Sequence, residues 1–386
     1  MDNFTKEHTM RFAHISDLHL GKRLNNYQLT ADQKHILEQI ADIAEKESCD
    51  AVLIAGDIYD KSAPSADAVK LFDGFLTDLC RRGLSIYIIS GNHDSAERVS
   101  YGRDIMERAD IHICAVYNGS VHIVRAEDEY GKLDICLLPF IKPSSVRAYY
   151  PDADIVTYND MMRTTLENSD VDTNRRCVLM CHQFITGAST CDSEYISVGT
   201  LDNIDADVFD GFDYVALGHI HGPQNIAKNI RYCGTPLKYS MSETVHKKSV
   251  TIVDIKEKHD VTVSTVPLVP LHDVKQISGS YNELMSKEYY DGLDLEDYYF
   301  ITLTDDADIP NVMHKLRTVY KNIINLSFDN SRTRSVSLVT AGPRKDTATP
   351  FELFSSLYTE QNGCGLTDEQ SEYIKGLIDR IWRDEV

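Results

Sequence analysis

The chain has 386 residues, 42% of them hydrophobic, which is enough for a large core and for more than one domain. Its 39 basic and 60 acidic side chains give a formal charge of −21, which argues against a freestanding nucleic-acid binder. No apolar run reaches the roughly 18 residues of a membrane helix, and Met1–Met10 lacks the apolar stretch of a signal peptide. The nine cysteines include no C-x-x-C pair, so we expect reduced thiols and a cytoplasmic chain. We also expect no membrane association.

Strand and helix patterns alternate through the first part of the chain, as expected for a parallel sheet covered by helices. The predicted elements, in order, are a strand at 11–16, a helix at 30–48, a strand at 51–55, a helix from Ser65 to Gly83, a strand at 84–89 and a helix at 96–108. Short strands then dominate, and they predict two sheets stacked face to face. They lie at 111–114, 120–124, 133–138, 177–181, 214–217, 230–233, 250–255 and 261–266.

Pro267 and Pro270 mark a domain boundary, and a unit of three strands and two helices follows up to residue 330. A polar, linker-like stretch at 331–347 precedes two amphipathic helices. The predicted domains are a flexible extension at 1–9, a catalytic domain at 10–270, a small α+β domain with its linker at 271–345 and a helical pair at 346–386.

Five polar clusters each lie directly after, or at the end of, a predicted strand. Because parallel strands bring their carboxyl ends to one edge of a sheet, these clusters are expected to assemble a single site. Gly91 allows a sharp turn in the third cluster. The clusters are Asp17-Leu18-His19, Gly56-Asp57, Ser90-Gly91-Asn92-His93-Asp94, His182 and Gly218-His219-Ile220-His221. A long polar loop at 185–200 is expected beside them.

Seven of these side chains are candidate metal ligands: Asp17, His19, Asp57, Asn92, His182, His219 and His221. Carboxylate, imidazole and amide donors without cysteine disfavour a structural zinc site. They suit manganese or iron, and the oxygen donors favour manganese. Seven ligands are too many for one ion and about right for two, with Asp57 as the natural bridge.

Two ions roughly 3.5–4 Å apart can activate water and clamp a phosphate for in-line attack. His93 is then left to donate a proton to the leaving oxygen or to stabilise charge on the phosphate. Asp94 could hold His93 in its working tautomer by a hydrogen bond, or it could cap the next helix. The histidines outside the clusters are expected to be structural or solvated.

The order Asp-x-His, Gly-Asp, Gly-Asn-His-Asp, His and Gly-His-x-His resembles the metallophosphoesterase superfamily. Within it, the segments 14–22, 55–60 and 90–95 are similar to those of the SbcD nuclease subunits, and Phe351–Gln361 resembles their C-terminal region. The resemblance covers nearly the whole chain after Met10. It implies an α/β metallophosphoesterase fold, in which a two-sheet β-sandwich is flanked by helices and joined by a small capping domain and a C-terminal helical pair.

The resemblance further implies a DNA exonuclease and endonuclease with two manganese ions, for which iron or magnesium are possible substitutes. It implies a homodimer that forms a heterotetramer with an SbcC-type ATPase and acts on DNA ends and hairpins in repair, recombination and replication. His93 matches the catalytic histidine, residues 271–345 match a DNA-contacting cap, and the last two helices match the ATPase-docking element. One ion takes ligands matching Asp17, His19, Asp57 and His221, and the other takes those matching Asp57, Asn92, His182 and His219.

Two other functions remain possible on the sequence alone. A phosphatase or cyclic-nucleotide phosphodiesterase could share the fold, although phosphoprotein phosphatases place Arg-Gly where this chain has Asp60-Lys61-Ser62. A non-catalytic scaffold would have lost ligands, and every expected ligand is present here. The apolar faces of the last two helices could also pack on the body of the chain instead of on a partner.

Overall fold

The computed structural model describes residues 9–194, 203–330, 350–362 and 365–383. The expectations for residues 1–8, for 195–200 of the polar loop and for the linker at 331–347 lie outside this range. The chain divides into two compact units, Met1–Phe328 and Asp329–Val386. The eight cysteines in the described part are free thiols. Among the described helices, none combines the length and apolarity needed to cross a membrane.

The first unit is built around two six-stranded sheets. The first sheet has the order β14-β13-β1-β4-β5-β6, and its strands β1, β4, β5 and β6 are parallel. A short ribbon of β2 and β3 follows β1. The strands are β1 Met10–Ile15, β2 Arg23–Leu24, β3 Tyr27–Gln28, β4 Ala51–Ala55, β5 Ser85–Ile89, β6 Ile111–Cys114, β13 Ser249–Ile255 and β14 Val261–Pro267.

The second sheet has the order β11-β12-β10-β9-β8-β7, and its strands β8, β9, β10 and β12 are parallel. Its strands are β7 His122–Asp128, β8 Gly131–Leu137, β9 Arg176–His182, β10 Tyr214–Gly218, β11 Gln224–Ala227 and β12 Ile230–Tyr232. The predicted two-sheet sandwich is therefore confirmed.

The core between the sheets consists of side chains that alternate along the strands, such as Phe12 and Leu53 from one sheet and Val178 and Tyr214 from the other. His14 is also fully buried, and its Nδ1 lies 2.9 Å from the hydroxyl oxygen of Tyr214. This polar contact links β1 of the first sheet to β10 of the second.

Helices cover the outer faces of the sandwich. Helices α1 (Thr30–Lys46) and α2 (Ala66–Arg81) pack their apolar stripes on the first sheet. As predicted, Ser65 caps α2, because its hydroxyl accepts a hydrogen bond from the main-chain N–H of Ala68. Helix α6 (Tyr158–Glu167) buries Met161 and Met162 against the second sheet, and a shorter helix, α5 (Pro143–Arg147), precedes it.

The helix predicted at 96–108 is wrong as a single element. It is broken into α3 (Ala96–Val99), α4 (Arg103–Met106) and a 3-10 turn at Glu107–Ala109. Gly102 separates α3 from α4 with a φ of 75°, a left-handed conformation that ends an α-helix.

A small three-stranded parallel sheet, in the order β15-β16-β17, completes the first unit. Tyr298 and His272 fasten it to α1, since the Tyr298 hydroxyl donates to Asp32 and His272 Nδ1 lies 2.8 Å from the same carboxylate. Its helices are shorter than the two that the sequence predicts. The elements are β15 Val274–Gly279, α7 Tyr281–Leu284, α8 Lys287–Tyr290, β16 Tyr298–Leu303, α9 Val312–Leu316 and β17 Asn322–Phe328.

In its described residues, the second unit contains two helices, α10 (Pro350–Asn362) and α11 (Asp368–Arg383), as predicted. The ammonium group of Lys375 on α11 lies 4.5 Å from the ring centre of Phe351 on α10. Leu353, Leu357 and Tyr373 remain exposed. The helical pair therefore presents apolar side chains that its own packing leaves uncovered.

Candidate metal centre

All seven predicted ligands converge at the carboxyl ends of parallel strands. Asp17 and His19 follow β1, Asp57 follows β4 and Asn92 follows β5 in the first sheet. The second sheet contributes His182, the last residue of β9, together with His219 and His221, which follow β10. The two sheets therefore bring their strand ends to one shared edge, as the sequence predicts.

A first group of donors comprises Asp17, His19 and His221, whose nearest ligand atoms lie within 4.8 Å of one another. The Nε2 atoms of His19 and His221 are 3.1 Å apart. Asp57 Oδ2 lies 3.8 Å from His19 Nε2, so this carboxylate borders the group.

A second group forms on the other side of Asp57. Oδ1 of Asn92 lies 3.1 Å from His182 Nε2 and 2.9 Å from His219 Nδ1. Asp57 Oδ2 is 3.4 Å from the same nitrogen of His182. One oxygen of Asp57 thus approaches both groups, which is the position of a bridging ligand.

The donor set fits a pair of divalent cations. Asp17, His19 and His182 are fully buried, and carboxylates and imidazoles that converge in a buried site are typical of metal sites. The other ring nitrogen of His182 is held by the carbonyl oxygen of Ala55 at 2.8 Å, which leaves Nε2 as the ligand atom.

The backbone around these ligands is strained. Asp17, His19, Asp57 and His219 have φ values of 53°, 44°, 50° and 100°, a region that side chains other than glycine seldom adopt. Such conformations cost of order 1–3 kcal/mol each and persist where the surrounding structure enforces them. Gly91, expected to serve a sharp turn, is required for another reason. A Cβ there would overlap the carboxylate and the main-chain nitrogen of Asp57.

His93 lies beside the two groups, and its ring, His19 and Asp57 also offer ligand atoms within 4.8 Å of one another. Its Nδ1 is 3.0 Å from the carbonyl oxygen of Asp60, to which an Nδ1–H donates, and its Nε2 is 4.0 Å from Asp57 Oδ2. The main-chain N–H of His93 donates to the other oxygen of Asp57. Nε2 therefore faces the site, while the main chain fixes the orientation of the ring.

Asp94 does not make the predicted hydrogen bond to the His93 ring. Its carboxylate accepts from the main-chain N–H groups of Gly91, Ile58 and Tyr59, at 2.9, 3.2 and 3.0 Å. It therefore ties the loop after β5 to the loop after β4. The expectation that it holds the tautomer of His93 is wrong, because the carbonyl of Asp60 takes that role.

The electrostatics of the centre reflect crowded, buried charges. Burial, together with the charge of Asp57, raises the pKa of Asp17 to about 6. Burial and the neighbouring His182 lower the pKa of His219 to about 3. Burial opposes protonation of His182, but the charge and hydrogen bond of Asp57 outweigh it and raise the pKa to about 9. Protons thus balance part of the negative charge, and a bound cation would displace them.

Sequence analysis misses Glu243, a fully buried carboxylate behind the first group. Its Oε1 lies 3.3 Å from His221 Nδ1 and accepts a hydrogen bond from Ser193, which also contacts that nitrogen. Lys248 donates to Glu243, to Thr235 and to the carbonyl oxygen of His221. Although burial opposes ionisation, the charge of Lys248 holds the pKa of Glu243 well below its usual range. The ionised Glu243 fixes the ring of His221 with Nε2 toward the site.

Comparison with known proteins agrees with this geometry. Residues 10–223, which contain all seven candidate ligands and His93, match the calcineurin-like phosphoesterase family. The chain belongs to this family. Beyond the calcineurin-like phosphoesterase region, residues 270–362 match a second family, the type 5 capsule protein repressor C-terminal domain.

One calcineurin-like phosphoesterase relative is the SbcD subunit of the SbcCD nuclease from Staphylococcus epidermidis. It is 35% identical over 382 residues, which cover 96% of this chain and 99% of the relative. Among solved structures, a dimetal phosphatase from Danio rerio aligns with 67% of this chain and 99% of its own, at 11% identity and a TM-score of 0.36.

Proposed function

We propose that this chain is the nuclease subunit of an SbcCD-type complex, a manganese-dependent DNA exonuclease and endonuclease. The observation that carries the proposal is the pair of donor groups that meet at Asp57 with His93 beside them. A two-ion phosphoesterase centre needs this arrangement. The similarity to the staphylococcal SbcD nuclease over nearly the full length of both chains supports DNA as the substrate.

Two manganese ions are the cofactors that we propose, with iron or magnesium as possible substitutes. When bound, the pair would neutralise charge on the phosphodiester and activate water for attack. Asp17, His19, Asp57 and His221 would hold the first ion. Asp57, Asn92, His182 and His219 would hold the second.

His93 acts on the substrate in this scheme. Because the Asp60 carbonyl accepts from Nδ1–H, Nε2 faces the site, and in the imidazolium form it can give a proton to the leaving oxygen or donate a hydrogen bond to the phosphate. Through its three main-chain hydrogen bonds, Asp94 fixes the loop that carries His93 to the loop that carries Asp57. His93 is therefore the catalytic side chain, and Asp94 is a positioning residue.

A homodimer, assembled with two ATPase subunits, is the form that we propose. Tyr101 and Ile105 of the broken helix after β5 are 84% and 75% exposed, which supports burial of this surface against another protein. The uncovered Leu353, Leu357 and Tyr373 of the helical pair support docking to an SbcC-type ATPase. Residues 271–345 would contact DNA as a cap.

The chain is strongly acidic, and affinity for duplex DNA depends on basic side chains. The ATPase would therefore make most of the contacts to duplex DNA. We place the complex in the cytoplasm, where it acts on DNA ends and hairpins during repair, recombination and replication. The 271–345 cap and the two ions would add only a few phosphate contacts.

The decisive experiment compares hairpin and linear DNA with small phosphomonoesters and cyclic nucleotides as substrates, with and without manganese and the ATPase partner. We expect manganese-dependent cleavage of DNA, stimulated by the partner. Efficient hydrolysis of the small phosphoesters with inert DNA would instead identify a phosphatase or a cyclic-nucleotide phosphodiesterase.

A further inference from the structure

The loop after β8 places an aromatic ring beside the metal centre. Phe140 is half-buried, and its ring centre lies 6.3 Å from that of His182 and 6.5 Å from that of His219. The ring is nearly parallel to the imidazole of His219, with an angle of 23° between their planes. Phe140 therefore borders the ligands of the second donor group, whereas His93 contacts the ring of His19 in the first group.

The main chain that carries this ring is held on both sides. The main-chain N–H of Phe140 donates to the carbonyl oxygen of Ser90, at the start of the loop that carries Asn92 and His93. The next residue, Ile141, accepts a hydrogen bond from the side chain of Gln183, which follows the ligand His182. The loop is thus fixed to both sheets at the edge of the site.

A lysine side chain lies over the ring of Phe140. The ammonium group of the exposed Lys142 lies 5.8 Å from the ring centre of Phe140. Pro143, the first residue of α5, follows Lys142 directly and restricts its backbone. A cation–π contact at an exposed site is weaker than stacking of a nucleobase on an aromatic ring, so a base can replace the ammonium group. The freed lysine would then remain next to a strongly anionic backbone.

We propose that Phe140 is a stacking platform for the nucleobase of one nucleotide that flanks the cleaved phosphodiester, and that Lys142 contacts the neighbouring phosphate. This inference rests on the proposed nuclease function and adds a substrate-binding subsite to it. Stacking on a ring is tolerant of base identity, because every base has a π-face. The subsite therefore selects for the presence of an unpaired base and not for the identity of that base.

The test uses single-stranded hexanucleotides with one cleavable phosphodiester and methylphosphonates at the other linkages. One substrate carries every base, one lacks the base 5′ of the cleavable bond, and one lacks the base 3′ of it. The wild-type chain with manganese should cleave one of the two abasic substrates about 5- to 150-fold less efficiently in kcat/KM than the complete one. The other abasic substrate should be cleaved about as well as the complete one.

Variants distinguish stacking of Phe140 on a base from packing of Phe140 against His182 and His219. Phe140→Leu should abolish the discrimination between base and abasic substrate, and Phe140→Tyr should retain it. Lys142→Gln should keep the discrimination. With an all-phosphodiester hexanucleotide, in which the neighbouring phosphate is charged, it should lower the salt dependence of log affinity by about 0.7. Tyr149→Leu changes a half-exposed aromatic ring outside the centre and should leave the discrimination as in the wild type.

Several outcomes would overturn the platform. Equal cleavage of all three substrates by the wild-type chain refutes it and leaves the nuclease function intact. Discrimination that persists in Phe140→Leu also refutes it, provided that manganese stoichiometry is normal in that variant. If no DNA substrate is cleaved while small phosphoesters are, the nuclease proposal itself fails, and the platform fails with it.

Discussion

The Nε2 atoms of His19 and His221 face each other at 3.1 Å inside a buried site. Burial lowers the pKa of His19 well below its usual value, so this ring is neutral. Burial opposes protonation of His221, but its contacts with Cys191 and Glu243 raise its pKa to about 10, so without a cation its Nε2–H donates to Nε2 of His19. A bound cation would displace that proton and take the lone pairs of both nitrogens.

Asp57→Asn should eliminate hydrolysis and the binding of at least one ion, because the amide keeps the size of the side chain but removes its charge. Direct metal analysis and calorimetry with manganese measure this. Asp60→Asn is the matched control, since the Asp60 carboxylate contacts Lys22 at 2.9 Å and lies outside the two donor groups. Two ions bound at normal affinity in Asp57→Asn would refute the bridging role.

His93→Ala should retain both ions, because the seven other candidate ligands remain in place and the His93 ring is assigned to substrate. Cleavage should fall by about a hundredfold or more, the usual effect of removing a general acid or charge stabiliser. His35→Ala on α1 is the control. A parallel loss of manganese from His93→Ala would make His93 a ligand.

Glu243→Gln should weaken manganese binding by about 10- to 100-fold, the usual effect of removing a partner that orients a ligand histidine. It should also destabilise the fold by about 3–5 kcal/mol, because it leaves the ammonium group of Lys248 buried without its counter-charge. Calorimetry and denaturant unfolding measure the two effects.

The double variant Glu243→Gln/Lys248→Met separates these effects. We expect it to regain stability, because it no longer buries an unpaired charge, and to remain weak in metal binding. If manganese affinity recovers together with stability, then Glu243 acts through folding alone and does not orient His221.

His14 makes stability depend on pH. Burial and the charge of Arg231 lower its pKa from 6.5 to about 3, so the unfolded chain binds a proton on acidification that the folded chain rejects. The stabilising effect is complete above the unfolded pKa and is lost progressively as the pH falls toward the folded pKa. Between about pH 7.5 and pH 5.5, His14 should account for a loss of about 1.4 kcal/mol in the free energy of unfolding.

The measurement is the difference in unfolding free energy between the two pH values for the wild-type chain and for His14→Gln. The variant should be less stable overall but should lose about 1.4 kcal/mol less on acidification. His314→Gln, an equivalent change on the surface, should follow the wild type. The same pH dependence in all three chains would contradict a neutral buried His14.

Truncation after Lys345 should leave a folded, manganese-dependent nuclease, since every predicted ligand precedes residue 222. It should abolish stable association with the ATPase, because Leu353, Leu357 and Tyr373 are lost with the helical pair. Co-purification and sedimentation measure association, and DNA cleavage with manganese measures the intact centre. Full-affinity binding of the truncated chain would assign docking to another surface.

Sequence predicts the convergence of the seven candidate ligands, because each directly follows, or ends, an apolar strand run, which is a local signal. It does not predict Glu243, which lies on the 3-10 turn Met241–Glu243, 22 residues beyond His221. The Ser-x-x-Glu spacing with Ser240 is typical of a helix cap, so the only local signal indicates a different role. The role of Asp94 is missed similarly, because its partners on the loop after β4 become neighbours only in the folded chain.

The left-handed backbone at Asp17, His19, Asp57 and His219 sets folding against catalysis at the same four positions. Glycine would adopt these conformations at little steric cost, so replacing a ligand can relieve strain while it destroys the site. A directed-evolution campaign that selects only for heat resistance, in metal-free medium, would therefore reward loss of the ligands. Thermal robustness of this enzyme should be selected with its cations present, because cation binding stabilises the folded chain that retains the metal-binding side chains.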